Sequence, residues 1–388
     1  MKRPPAPWLA LAATQERLCF FPTRLSLDMG AGQTARAPLP TRISLSLRRS
    51  ALRFFRSLSL WALALAAVGF ALWGAGALWF QAPFAAPVRL LLCGLWLVLL
   101  LGGAAGLFSG RRWQALGAMA LAVAALLTWW STILPTNEGD WAGGLDRTVR
   151  GSVDGDILTL TDVRDFDWRS ESDFTPRWET RRYDLSKLVS VDLLANYWMG
   201  EPIAHTLLSF GFSDGRFLVW SIEMRLRKGQ QFSALGGLFK TAELISLAGD
   251  ERDIIRLRTN VRREDVRLFR MNTRPVVARE ILLTYVDEAN DLADRPRWYN
   301  TLTTNCTTVV FHIVRAVAPG MPFDWRVLVS GYLPDFAYER GALDSSLPFP
   351  QLREKSKISP RAIAADALPS PAFSQAIRTH VPGFLPAR

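Results

Sequence analysis

The chemistry open to this chain rests on one thiol, three imidazoles and the carboxylates near them. The cysteines are Cys19, Cys93 and Cys306. Cys93 lies inside a strongly apolar run and Cys19 precedes the first such run, whereas Cys306 sits in Thr303-Thr304-Asn305-Cys306-Thr307-Thr308-Val309-Val310-Phe311. Asn305 is a favoured helix N-cap, which puts Cys306 in the first turn of the helix that follows. Unpaired N–H groups and the positive end of the helix dipole stabilise a thiolate there. The backbone N–H groups of Cys306 and Thr307 would also hold an oxyanion while an acyl carbon is attacked. A buried structural cysteine is the competing reading, because free cysteine is among the most buried residue types.

A thiol nucleophile needs a base, and the choices are His205, His312 and His380. His312 lies six residues along the same helix as Cys306 and projects to a different face. His380 falls in the C-terminal tail. His205 opens a hairpin whose register can be worked out. A three-residue loop Ser213-Asp214-Gly215, with Gly215 in the left-handed position, pairs Phe212 with Arg216 and therefore His205 with Glu223. That register gathers Thr206, Leu208 and Phe210 with Ile222, Trp220 and Leu218 on one apolar face, which a one-residue slip would scatter. Cross-strand neighbours lie about 5 Å apart, so Glu223, or Ser221, would orient the imidazole. Cys306 then acts as nucleophile and His205 as base and acid. No metal or cofactor is expected: the histidines are dispersed, and there is neither a His-Glu-x-x-His site nor a phosphate loop.

The elements that must position these groups divide the chain. Three apolar runs, at 57–80, 88–108 and 113–133, each approach the ~20 residues needed to cross a bilayer. They are almost free of ionisable residues, so an anchor is expected rather than a proton or ion path. Residues 1–56 hold ten Lys or Arg against two acids, and Arg111-Arg112 separates the second and third runs. By the positive-inside rule both regions are cytoplasmic, and everything after Pro135 lies outside. The formal charge of +11 belongs to this flank and anchor, since residues 135–388 carry 33 basic and 33 acidic side chains. Nucleic acid is therefore excluded as a partner. The expected domains are a disordered basic segment (1–56), a three-helix membrane anchor (57–134), an outer domain (135–345) and a loosely ordered Pro-rich tail (346–388) with one short helix near 361–367.

Within the outer domain, strands are expected at 156–162, 188–194, 205–212, 217–225 and 253–257, then helices at 274–294 and 305–318. Strands followed by helices around one core is an α+β pattern.

Several stretches resemble the Lnb N-terminal periplasmic domain family: Val163-Arg164-Asp165-Phe166, Arg177-Trp178-Glu179-Thr180-Arg181, Ala204-His205-Thr206-Leu207-Leu208-Ser209-Phe210, Ser221-Ile222-Glu223-Met224-Arg225, Asp250-Glu251-Arg252-Asp253 and Trp298-Tyr299-Asn300 leading to Thr304-Asn305-Cys306-Thr307. The resemblance covers roughly 139–343. It implies a permuted papain-like domain, an antiparallel sheet with a cysteine-bearing helix packed on it, and a Cys–His site for acyl transfer. The implied partners are membrane lipid as acyl donor and lipoprotein amino termini as acceptors, at a bacterial inner membrane. Two alternatives are a peptidoglycan-peptide amidase and a non-catalytic envelope-assembly module.

Overall fold

The computed structural model describes residues 42–318 and 320–384. It is a mixed α+β protein: three apolar helices precede a domain built on one large sheet. The helices are α1 (Arg42–Gln81), α2 (Ala86–Gly106) and α3 (Arg112–Thr132). All three are long and apolar enough to cross a membrane, α1 over Arg53–Gln81. Small residues on α1 let α2 approach closely, as is usual between helices that meet in lipid. Ala64, Ala67 and Ala71 are buried with Trp96 and Leu100, and the Trp96 indole N–H donates to the Ala71 carbonyl at 3.1 Å. The expected disordered segment is helical from Arg42 onward, because the apolar helix propagates back through Arg- and Leu-rich sequence of good helix propensity. Its remainder, 1–41, and Cys19 with it, lies outside the described residues.

The strands are β1 (Arg150–Asp154), β2 (Ile157–Arg164), β3 (Asp167–Trp168), β4 (Phe174–Thr175), β5 (Trp178–Asp184), β6 (Leu188–Tyr197), β7 (Ala204–Phe212), β8 (Phe217–Arg225), β9 (Glu243–Gly249) and β10 (Asp265–Arg270). The main sheet runs β1-β2-β9-β8-β7-β6-β10 with β5 also on β2, while β3 and β4 pair apart. Its pairings are antiparallel except for a single parallel contact, Arg164 with Gly249.

Helices cover both faces: α4 (Glu251–Arg256), α5 (Pro275–Asp294), α6 (Cys306–Val317), α7 (Leu333–Glu339), α8 (Phe349–Lys355), α9 (Ser359–Ala364) and α10 (Ser370–Arg378). Strand alternation decides what each face receives. Leu193, Leu208, Phe210, Leu218, Trp220 and Ile222 join Ile281, Leu282, Val309 and Val310 of α5 and α6. Leu194, Leu207, Val219, Val266 and Leu268 join Ile254, Ile255, Phe373 and Ile377 on the other side.

Two expectations give way here. Residues 253–257 are not a strand. Glu251–Arg256 is a helical turn, followed by a π-helical stretch over Leu257–Val261, and Ile254 and Ile255 both pack into the second core. A run this short carries no periodicity that separates strand from helix. The tail is not loosely ordered either. Pro350, Pro360 and Pro371 stand in the first turns of α8, α9 and α10, where a missing N–H costs nothing and the fixed φ favours helix. Phe373, Ile377 and Arg378 are completely buried.

Candidate active site

The hairpin places His205. Phe212 N–H donates to Arg216 O across the Ser213–Gly215 loop, and Gly215 has φ +86°. The ladder then runs from Gly211↔Phe217 to Leu207↔Ser221, in the expected register, and stops. Beyond that point β7 and β8 part. Thr206 N–H faces the β8 side, like that of Phe212, but has no ladder partner there, and it lowers the Cys306 thiol.

His205 is buried, with its Nε2 2.8 Å from Ser221 Oγ and 3.2 Å from Glu223 Oε1. Ser221 Oγ donates to the same Glu223 oxygen at 2.7 Å. The imidazole and the Cys306 thiol lie close enough for each to shift the other's titration, and with Nε2 engaged, Nδ1 is the nitrogen left for the thiol.

Cys306 is positioned by α6. Asn305 Oδ1 accepts from Thr307 N–H and Thr308 N–H, both at 2.9 Å, and Thr308 Oγ1 accepts from Asn305 N–H at 2.8 Å. This reciprocal cap fixes the turn on which Cys306 stands. It also changes one expected role. Thr307 N–H is consumed by the cap and is not a free oxyanion donor, so of that expected pair only the Cys306 N–H remains. Thr307 contributes its hydroxyl, 3.1 Å from Thr206 Oγ1 and 3.7 Å from the Cys306 sulfur.

Charge follows geometry. Burial disfavours a charged His205, but the negative charges of Glu223 and Cys306 outweigh it and push the imidazole up to about 9. Burial alone would raise the Cys306 thiol. The charge and hydrogen bond of His205, then Thr206 N–H and Thr307 hydroxyl, bring it below the ordinary thiol value. Burial also opposes charge on Glu223, yet His205 and Arg258 hold it well below the usual carboxylate range. Each shift runs toward the charged form, the direction that favours a thiolate and an imidazolium backed by a carboxylate.

Arg258 is the residue that sequence reasoning missed. It lies on the π-helical stretch, is almost fully buried, bonds Glu223 Oε1 through Nη2 and donates to Ile254 O through Nη1 at 2.8 Å. His312 and His380 are both exposed and take no part in the site. Among the described residues no group of His, Cys, Asp or Glu is arranged to hold a metal ion.

The pair makes a prediction about reactivity. Alkylation of Cys306 by iodoacetamide is expected to rise with pH at an inflection below that of an ordinary thiol. In His205→Ala only burial and two neutral hydrogen bonds remain, so the inflection should move above that ordinary value. An unchanged profile would show that the two side chains do not share charge.

A buried cysteine–histidine–carboxylate arrangement on an α+β domain, carried behind membrane helices, defines the class. Residues 174–331 match the family model of the Lnb N-terminal periplasmic domain. The match takes in β4 to α6 and hence Cys306, His205 and Glu223; β1, β2 and the C-terminal helices lie outside it. No curated protein and no solved structure matches the chain.

Proposed function

We propose that this protein is a thiol acyltransferase or hydrolase anchored in a bacterial inner membrane, with its N-terminus cytoplasmic and its catalytic domain in the periplasm. The observation that carries the reading is Cys306 on a capped helix start, its thiol lowered by the charge of a buried histidine whose Nε2 is held by Ser221 and Glu223. The orientation rests on the basic residues before and between the spans.

The thiolate of Cys306 would attack the ester carbonyl of a lipid acyl donor, with the Cys306 N–H facing the developing oxyanion. Collapse breaks the ester bond, and His205 gives its proton to the departing alkoxide, leaving an acyl-thioester. An amine, such as a lipoprotein amino terminus, or a water then attacks. His205 takes up its proton, the thioester breaks, and the thiolate–imidazolium pair returns. Thr206 N–H and the Thr307 hydroxyl stabilise the thiolate at both ends of the cycle. Asn305 acts through the cap, as a positioning residue.

The test is the mass of lipoprotein amino termini in cells carrying wild-type protein or Cys306→Ser. Loss of the N-acyl mass in the variant supports transfer. Identical masses remove the transferase and leave hydrolysis or a binding role.

Turnover requires the protonated ring and should fall as pH rises through about 9. Glu223→Gln removes the largest favourable charge on that ring. Its falling limb should therefore appear at least about one pH unit lower, because each unit corresponds to ~1.4 kcal/mol of lost charge stabilisation. A limb that stays in place would assign Glu223 to packing alone.

A further inference from the structure

The catalytic end of the sheet is also the end seated on the anchor. Residues 226–242 connect β8 to β9 and leave the sheet two residues after Glu223. Within this loop the Phe239 ring stacks on Phe80 of α1 at 5.3 Å. It also fills the space above Gly76, where a Cβ would come within 2.3 Å of the ring. Gly76 lies five residues before the end of α1, so at 1.5 Å per residue the ring reaches about 7 Å down the helix. That depth matches interfacial side chains, which sit ~5–10 Å into a bilayer. Gln81 Nε2 donates to the carbonyls of Phe239 and Lys240, both at 2.6 Å. Lys240 Nζ donates to Trp130 O and Ile133 O at the end of α3, at 2.8 and 3.0 Å.

The same loop touches the approach to the nucleophile. Thr301 Oγ1 donates to Ala234 O at 2.6 Å and Thr301 N–H to Gly237 O at 3.4 Å, five residues before Cys306. Around this junction stand large apolar side chains with no protein to cover them. Leu235 is 61% exposed, Leu302 56% and Met199 55%, with Trp198 and Phe232 half-buried against each other at 6.0 Å. Trp198 and Met199 belong to the β6–β7 turn, which leads directly into His205. Exposed apolar residues are ordinary when scattered. These five cluster at the one sheet end whose connecting loop already reaches membrane depth.

We propose that the rim formed by Trp198, Met199, Phe232, Leu235 and Leu302 inserts into the bilayer leaflet nearest the domain, so that the mouth of the Cys306–His205 site opens onto lipid. Continuity with the anchor selects the occupant: a rim joined through Phe239 to the end of a membrane span meets the same membrane before any soluble partner. The indole and phenyl rings suit the boundary, where amphipathic and aromatic side chains are favoured. The insertion stands independently of catalysis. That it serves to admit an acyl chain rests on the function proposed above.

The experiment uses the full chain in lipid nanodiscs with Cys19, Cys93 and Cys306 changed to Ser, so that docking is read without any turnover. Single cysteines placed by Leu235→Cys, Phe232→Cys and Leu302→Cys carry bimane, and Ser213→Cys in the β7–β8 turn, exposed at the opposite sheet end, is the control. Lipids brominated along the acyl chain are expected to quench the three rim labels at least twofold and the control not at all, with aqueous iodide giving the reverse order. Iodide quenching of the rim labels equal to the control, with no bromolipid effect, would overturn the proposal. Quenching at Leu235 alone would also overturn it, since one contact is not a rim. A positive result here beside unchanged lipoprotein masses would separate membrane docking from the acyl-transfer reading.

Discussion

Cys306→Ser is expected to lower acyl turnover by at least about a thousandfold while the domain stays folded. The side chain is small and buried, and serine keeps nearly its volume, so packing around α6 should be retained. The chemistry is not retained. The hydroxyl of serine titrates far above any thiol, and the Cys306–His205 arrangement works by charge separation between a lowered thiol and a raised imidazole. With serine the histidine faces a neutral hydroxyl, loses one of the charges that raise it, and must accept a proton of much higher pKa. Losses of this order or larger accompany removal of a nucleophile that acts as a unit with its base. The measurement is acyl-enzyme formation by intact mass after incubation with a phospholipid donor, alongside circular dichroism to check the fold. Wild type should gain one acyl mass that hydroxylamine releases. A variant that acylates at a tenth of the wild-type rate would exclude Cys306 as nucleophile.

Arg378→Ala is expected to destabilise the domain by about 3–5 kcal/mol, although the residue lies near the C-terminus. Its guanidinium is completely buried, 2.8 Å from Asp192 Oδ2 and 2.6 Å from Glu251 Oε1, and those two carboxylates are themselves fully buried. The Glu251 and Asp192 charges hold Arg378 above its usual range against burial. Ser209 Oγ donates to Glu251 at 2.6 Å and Arg270 pairs with Asp192 at 2.7 Å, so a network joins α10, α4, β6, β7 and β10. A buried ion pair adds little over a well-packed apolar group, but removing one partner strands the other. Here one deletion takes a shared cation from two buried acids. For a domain of this size the loss corresponds to roughly 10 °C in melting temperature, read by thermal unfolding in detergent. A drop below about 2 °C would show that Arg270 and Ser209 suffice. Arg378→Met should cost as much, since the methylene stem is replaced but the charge is not.

These two sites differ in how far the sequence displays them. The register of the β7–β8 hairpin follows from a single loop, because Gly215 demands a positive φ and alternation does the rest; His205 and Glu223 therefore meet where expected. The cap at Asn305 is equally local, and it gives the start of α6 to the residue. What escapes is non-local or depends on a fit. Arg258 reaches Glu223 only because a π-helical stretch after α4 turns it inward, and no periodicity marks such a turn. The short run around Ile254 and Ile255 suits a strand as well as a helix until both faces of the sheet are known to be covered. The tail's prolines suggest loose sequence. Its order comes from Arg378, whose partners lie 127 and 186 residues earlier. The role given to the Thr307 N–H failed for a simpler reason: a cap that satisfies a donor removes it from the chemistry.

The attachment of the domain through Phe239, Gln81 and Lys240 has a kinetic consequence. A catalytic head on a slack linker sweeps a volume, and its encounters scale with moles per litre. This head is bracketed to its own helices through two neighbouring residues of one loop, so under the proposed function its mouth travels in a plane. Its encounters then scale with the mole fraction of donor in the leaflet, and dilution of the whole membrane suspension leaves them unchanged. Saturation curves for the proposed acyl transfer belong on an axis of surface density. A donor offered in detergent micelles would report the number of donor molecules per micelle rather than an affinity.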